Sequence, residues 1–362
     1  MKKVFLSVIL SVLLTGITPA IAEIETKVGG FVKFQYGFFD HKTKNVVQNN
    51  KTSNDSLVDS DIYIRAHQTA DNGLEYGAQV DLKASRNNTE TSQNVFVYSQ
   101  GAFGRVELGD TPGAANELTV RAPTVGIGQI DSKLYRWNLP TALLVPNNFD
   151  DDYSTKLSYY TPSFSGVRLG LSYMPQLGSA GEEVIFSQVQ QSVAQPRSID
   201  QPNALQSIVQ AGVQYKETFG KVNSITGGSY VMGDGKKRLA APTFYYNNAR
   251  SWALGTQLGI GPFSVGGGYL HSGNSLSYQN LTGLNEYNLG ASYSNGPWAI
   301  GVSFVQQNAD QADTMLYGGG VNYTLYEGWT LGADLMFYDV SGKLGNPDKD
   351  GYLVLTETAV TF

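Results

Sequence analysis

Apolar and polar positions alternate along most of this chain with a period of two. In GLEYGAQVDLKA, Leu74, Tyr76, Ala78, Val80 and Leu82 fall on one face, and Glu75, Gly77, Gln79, Asp81 and Lys83 on the other. In GGFVKFQYGFFD, Gly30, Val32, Phe34, Tyr36 and Phe38 lie opposite Lys33, Gln35 and Gly37. This is the spacing of a strand with two unlike faces, and helical spacing rarely competes with it. It predicts sixteen strands, near 27–39, 60–70, 74–83, 93–99, 104–110, 154–161, 166–174, 207–217, 220–232, 251–260, 262–271, 285–294, 297–307, 315–324, 328–339 and 351–362. Seven short connections carry Gly, Asn or Pro and read as turns, among them TADNG, SNGP and LYEG. Between them come longer polar segments near 40–59, 84–92, 111–153, 175–206, 233–250, 272–284, 308–314 and 340–350. Short turns on one side and long loops on the other predict an all-β, antiparallel up-and-down barrel.

The apolar parity decides what such a barrel faces. On the clearest strands it holds no Lys, Arg, Asp or Glu, and an Arg or Lys facing lipid costs roughly 2–4 kcal/mol near the midplane. A soluble sandwich also buries one parity, but it has no reason to be aromatic at both ends and aliphatic between. Here Tyr215, Phe263, Tyr293, Trp298, Tyr323, Trp329 and Phe362 form one girdle on the turn side. Tyr36, Phe38, Tyr173, Trp252, Tyr269, Phe304 and Phe337 form another near the long loops, as rings do at membrane interfaces. The other parity, mostly Gly, Ser, Gln and Asn with scattered charge, suits a wet interior. The closing stretch YLVLTETAVTF alternates to its last residue, so Phe362 is expected in the turn-side girdle on a strand paired with the first one.

Composition adds the compartment. MKK followed by VFLSVILSVLLTGI and the small-x-small site Ala20-Ile21-Ala22 reads as a cleaved signal over 1–22, leaving 23–362 as the barrel. Cysteine is absent, which removes disulfides and thiolate metal sites. The formal charge of −6 disfavours a nucleic-acid partner.

With these features in place, the chain resembles the general diffusion porins of the Gram-negative outer membrane. DNGLEYGAQVDLK resembles the family's third strand. GAFGRVELGD resembles the strand entering its constriction loop, and STKLSYYTPSFSGVRLGLSYMP the hairpin after it. The resemblance implies homotrimers of sixteen-stranded barrels in the outer membrane, and passive diffusion of ions and small hydrophilic solutes without a cofactor. It also implies a terminal aromatic residue, Phe362 here, that the barrel-assembly machinery reads. Departures are Thr356 and Thr358 on the outward parity of the last strand, and Gln93 and Ser158 near positions where the family places lumen cations.

Catalysis finds little support. His41, His67 and His271 are the three histidines, without metal-ligand spacing, and no Gly-x-Ser-x-Gly elbow is present. NPDKDGY at 346–352 lacks the remaining ligands of a calcium loop and reads as a turn. The segment 111–153 is more informative. Leu134, Tyr135, Trp137, Leu139, Leu143, Leu144 and Val145 make it too apolar for exposure. It is expected to fold inward and narrow the pore; the alternative is an outward loop packed on a neighbouring subunit.

A constriction then follows from charge. Lys33 and Arg65 share the lumen parity on neighbouring strands and are expected about halfway up, on one patch of wall, with Lys156 and Arg168 extending it. Opposite them the loop and its ends offer Asp110, Glu117, Asp131, Asp150, Asp151 and Asp152. Opposed charges across a narrow wet gap orient dipolar solutes. Two other readings stay open: a substrate-specific porin using lumen aromatics such as Phe31, Tyr63 and Tyr338, and a surface adhesin whose long loops bind a host or matrix.

Overall fold

A computed structural model describes residues 24–43, 53–84, 92–126, 137, 154–177, 205–238, 244–245, 247–275, 283–310 and 312–362. Its strands are β1 (Glu25–Thr43), β2 (Asn54–Thr69), β3 (Glu75–Lys83), β4 (Ser92–Gly101), β5 (Gly104–Asp110) and β6 (Thr155–Tyr160). They continue with β7 (Val167–Gln176), β8 (Leu205–Phe219), β9 (Val222–Gly235), β10 (Lys237–Arg238), β11 (Phe244–Tyr245) and β12 (Ala249–Ile260). The last are β13 (Phe263–Gly273), β14 (Leu284–Asn295), β15 (Trp298–Ala309), β16 (Ala312–Tyr326), β17 (Trp329–Gly342) and β18 (Lys349–Thr361). One short helix, α1 (Ala114–Leu118), lies in the segment after β5.

All strands except β10 and β11 form one closed antiparallel barrel, each paired with its neighbour in chain order and β18 with β1. At the closing seam Val32 faces Val360 and Phe34 faces Thr358. Gly30 N donates to Phe362 O at 2.9 Å and Phe362 N to Gly30 O at 3.0 Å. No barrel edge is left, which is the condition for strands in hydrocarbon. The turns are tight because glycine accepts their backbone: Gly261 (φ 57°) and Gly296 (φ 56°), each followed by proline, link β12 to β13 and β14 to β15.

The alternation translates into two surfaces. Along β7, Leu169, Leu171 and Tyr173 are exposed on the outside, while Gly170, Ser172 and Met174 are buried on the inside. The girdle residues meet as expected from their parity. On the turn side Phe263 and Tyr293 lie 4.8 Å apart and Trp298 and Tyr323 4.6 Å apart, centroid to centroid. Near the loops Tyr36 and Phe38 lie 4.9 Å apart, and Trp252 and Tyr269 5.2 Å.

The structure departs from the sequence reading in two respects. First, the wall is uneven. β1 has 19 residues where 27–39 was expected and β2 begins at Asn54 rather than near 60, whereas β5 has 7 and β6 has 6. The added ends are polar, such as His41-Lys42-Thr43 and Asn54-Asp55-Ser56, so ladder hydrogen bonds rather than an apolar pattern extend these strands. Second, the interior is not uniformly wet. Trp137 from the segment after β5 is buried with Leu316, Met336, Tyr338, Leu353 and Leu355 on the inner faces of β16–β18. Another core joins Ala115 of α1 to Met174, Leu205, Ile208 and Val231. The packed core of this molecule therefore sits inside the barrel, between the wall and a loop folded against it.

Candidate functional site

The segment after β5 starts with α1, which rests on the inner faces of β7–β9. Ser172 Oγ accepts from Ala114 N (2.8 Å) and Gln210 Oε1 from Ala115 N (3.1 Å). Farther on, Thr119 Oγ1 meets Ser229 Oγ at 2.5 Å, Asn288 Oδ1 accepts from Ala122 N (2.9 Å), and Gln257 Nε2 donates to Arg121 O (2.7 Å). Many of the inward Ser, Gln and Asn residues thus serve the loop backbone rather than water, since buried N–H and C=O groups need partners. The loop passes β12, β14 and β15. Trp137 then stacks its ring over Gly37 of β1 and lies 6.3 Å from Phe39, centroid to centroid. The inward fold expected for 111–153 holds for 111–126 and Trp137; Leu134, Tyr135, Leu139, Leu143, Leu144 and Val145 lie outside the described residues.

Trp137 packs against the inner faces of β15–β18, and open space lies along β3–β7. A polar cavity of about 510 Å³ opens there, with Gln79, Asn94, Arg105 and Arg168 on the wall and Glu117 on α1. Arg105 Nε binds Glu107 Oε1 at 2.6 Å, its Nη1 donates to Gln100 Oε1 at 2.7 Å, and its guanidinium lies 4.1 Å from the Tyr98 ring centroid. The Arg168 guanidinium lies 4.8 Å from the Tyr160 centroid. Ring faces attract cations and hold them flat against the wall.

Of the residues singled out from sequence, Arg168 and Glu117 face this cavity together. Lys33 and Arg65 do face inward, over Phe31 (4.7 Å) and Tyr63 (4.9 Å). They do not share a patch, however. Lys33 pairs with Asp59, and Arg65 with Lys27, six residues lower on β1. At about 3.3 Å per residue that is a separation of roughly 20 Å. Arg65 stands near the turn end of β2 rather than halfway up, because β2 starts much earlier than expected.

Lys156 is a correction too. It is 3% exposed and its Nζ donates to the Thr111 carbonyl, so it anchors the start of the loop rather than extending the lumen wall. Asp110 falls on the parity of Leu108, opposite Val95 and Thr155, and accepts from Thr155 Oγ1 at 2.5 Å. It therefore belongs to the top of the wall. Asp131, Asp150, Asp151 and Asp152 lie outside the described residues. Arg105 and Glu107 were not singled out, although their signal was present: opposite charges two residues apart in GRVELGD share the inward face of one strand.

A model of Gram-negative porins matches residues 10–343, most of the chain. The chain belongs to the Gram-negative porin family. An uncharacterized protein of Rickettsia bellii is 23% identical to this porin, over 95% of this chain and 94% of its own. Among solved structures, the anion-selective porin from Comamonas acidovorans superposes with a TM-score of 0.62 at 15% identity, covering 94% of this chain and all of that one (100%). The trimer form of OmpT, an outer membrane protein of Vibrio cholerae, gives 0.59 at 13% identity, covering 94% and 99%. At such identities the likeness concerns the barrel fold. Family and fold together point to an outer-membrane channel.

Proposed function

We propose that this porin is a passive, water-filled pore for ions and small hydrophilic solutes, with its constriction off-centre against β3–β7. The observation that supports this most directly is the polar cavity between Arg168 and Arg105 on the wall and Glu117 on the loop. Groups of both signs around one wet gap impose a transverse field, which favours dipolar or charged solutes and penalises apolar ones. Arg65, at the turn-side end of β2, adds to the basic side below. The test is a planar-bilayer recording with a salt gradient across the membrane. Arg168→Glu is expected to move the zero-current potential toward cation preference, with a smaller move for Lys33→Glu. An assembled Arg168→Glu channel with wild-type selectivity would remove Arg168 from the constriction.

Four inward cations lie over aromatic rings, at Phe31, Tyr63, Tyr98 and Tyr160. That supports a substrate-specific porin as the second reading, with planar anions stacking on the guanidinium faces. Block of the current by one solute of a panel separates it from a general pore. Tyr338 takes no part, since it is buried under the loop.

The same reading includes a homotrimer. β5 and β6, at 7 and 6 residues, rise less along the membrane normal than the apolar band of about 25 Å. The outward parity of β2–β5 also carries a single aromatic residue, Tyr76, among exposed Val58, Ile62, Ile64, Val95, Val97 and Leu108. Toward the turns this low sector keeps exposed Tyr76, Phe103 and Tyr159, but above them its outward face is aliphatic, which suits contact with further copies.

A further inference from the structure

On the inner wall, glycines stand where the loop passes. A Cβ at Gly255 of β12 would fall on the Val120 carbonyl oxygen, and one at Gly227 of β9 on that of Leu118. One at Gly212 of β8 would lie 2.6 Å from Ala114 O, and one at Gly290 of β14 2.8 Å from Pro123 O. On β15 and β7, a Cβ at Gly301 would lie 2.9 Å from Val125 Cβ, and one at Gly170 2.8 Å from Leu118 Cδ1. Real Cβ atoms essentially never approach within 3.0 Å, so a side chain at any of these positions requires something to move. Gly259, on the same inward face of β12 but nearer the turn, has no such neighbour; the nearest atom to its Cβ would be Ser264 Oγ at 3.4 Å, an ordinary contact.

We infer that this row of glycines is the seat that fixes how far the loop stands off the wall, and so sets the open cross-section of the pore. Two sets of wall residues divide the task. Ser172, Gln210, Asn288 and Gln257 bind the loop backbone, and Ser229 the Thr119 hydroxyl, and together they fix its position along the wall. The glycines fix its depth, because the wall has no side chain to hold the loop away: loop carbonyls lie against Gly212, Gly227, Gly255 and Gly290, and loop side chains against Gly170 and Gly301. The carbonyls of Ala114, Leu118, Val120 and Pro123 cannot rotate aside as a side-chain tip would, since they belong to a segment hydrogen-bonded at both ends. Whatever thickness is added beneath the loop is subtracted from the gap in front of it. These glycines are positioning residues and touch no solute. The inference rests on the channel reading and deepens it.

Single-channel conductance of four variants tests it, with folding checked by heat-modifiable migration. Loss of conductance should rank by what the new Cβ meets: Gly255→Ala most, against a backbone carbonyl; Gly301→Ala next, against Val125 Cβ; Gly170→Ala least, against the end of Leu118. Gly259→Ala should match wild type. A roughly twofold fall for Gly255→Ala is expected, as pore diameter controls flux. Val125→Gly, which removes the atoms in the way, should restore conductance to Gly301→Ala. If Gly255→Ala fails to assemble, the Gly301 single and double variants carry the decision. A conducting wild type with all four single variants at its level, or a double variant that does not recover, overturns the inference alone. A silent wild type overturns the channel reading and the inference with it.

Discussion

Lys156 and Arg168 show how far one side chain's role depends on what lies above it. Both stand on the inward parity of neighbouring strands, yet one faces a wet cavity and the other is buried beneath Thr111. Lys156→Met removes the donor and strands a buried carbonyl, which costs roughly 1–3 kcal/mol. We expect a lower unfolding midpoint in detergent, with a smaller change in ion selectivity than for Arg168→Glu; an unchanged midpoint would mean that the contact contributes nothing net. Alternation in the sequence made the inward direction of Arg168, Lys33 and Arg65 legible. It carried no information on depth, because depth depends on a loop whose path is set by distant strands. Asp110 is different: its outward parity was readable beside Leu108, and its place at the mouth of the loop concealed it.

At the scale of the element, the loop after β5 behaves as an internal lid bound at several points. Trp137 is the anchor farthest along the chain among the described residues, 5% exposed and packed on Gly37. Truncating a buried Trp to Ala costs about 3–5 kcal/mol, here paid by loop attachment rather than by the barrel ladder. Trp137→Ala should therefore leave heat-modifiable migration intact while raising both current noise and protease cleavage within the loop. Equal noise and cleavage in the two proteins would show that the anchor is dispensable. The apolar composition of 111–153 made its need for cover legible, and hence its inward fold. Its partners were not, since Leu353, Leu355 and Met336 occupy the parity that elsewhere faces water. The strands were legible almost throughout from period two. Their heights were not, because polar ends such as those of β1 and β2 have the composition of loops.

For the whole molecule, three outcomes are expected of an intact assembly. Light scattering in mild detergent should give a trimer; a conducting monomer would oppose it. Charged substitutions on the low sector, such as Val97→Lys, should release monomers, whereas the same change at Val302 on the tall side should impair insertion. Deleting Phe362, which is exposed beside Gly30 at the seam, should lower the yield of assembled barrel; a wild-type yield would deny that terminus a role. The seam has a further consequence, and it concerns time. Gln35 Nε2 donates to Glu357 Oε2 across it, joining residues 322 apart in sequence. Every other strand finds its partner next door, so a growing sheet can gain strands one hairpin at a time. Only the final pairing needs the chain's two extremes to meet, and until then β1 and the latest strand both present open edges. Pairing over so long a separation is expected to be slower than any hairpin and to come last. Until that pairing forms, the sheet has two open edges able to pair with other strands, and the seam is what turns a ribbon into a tube.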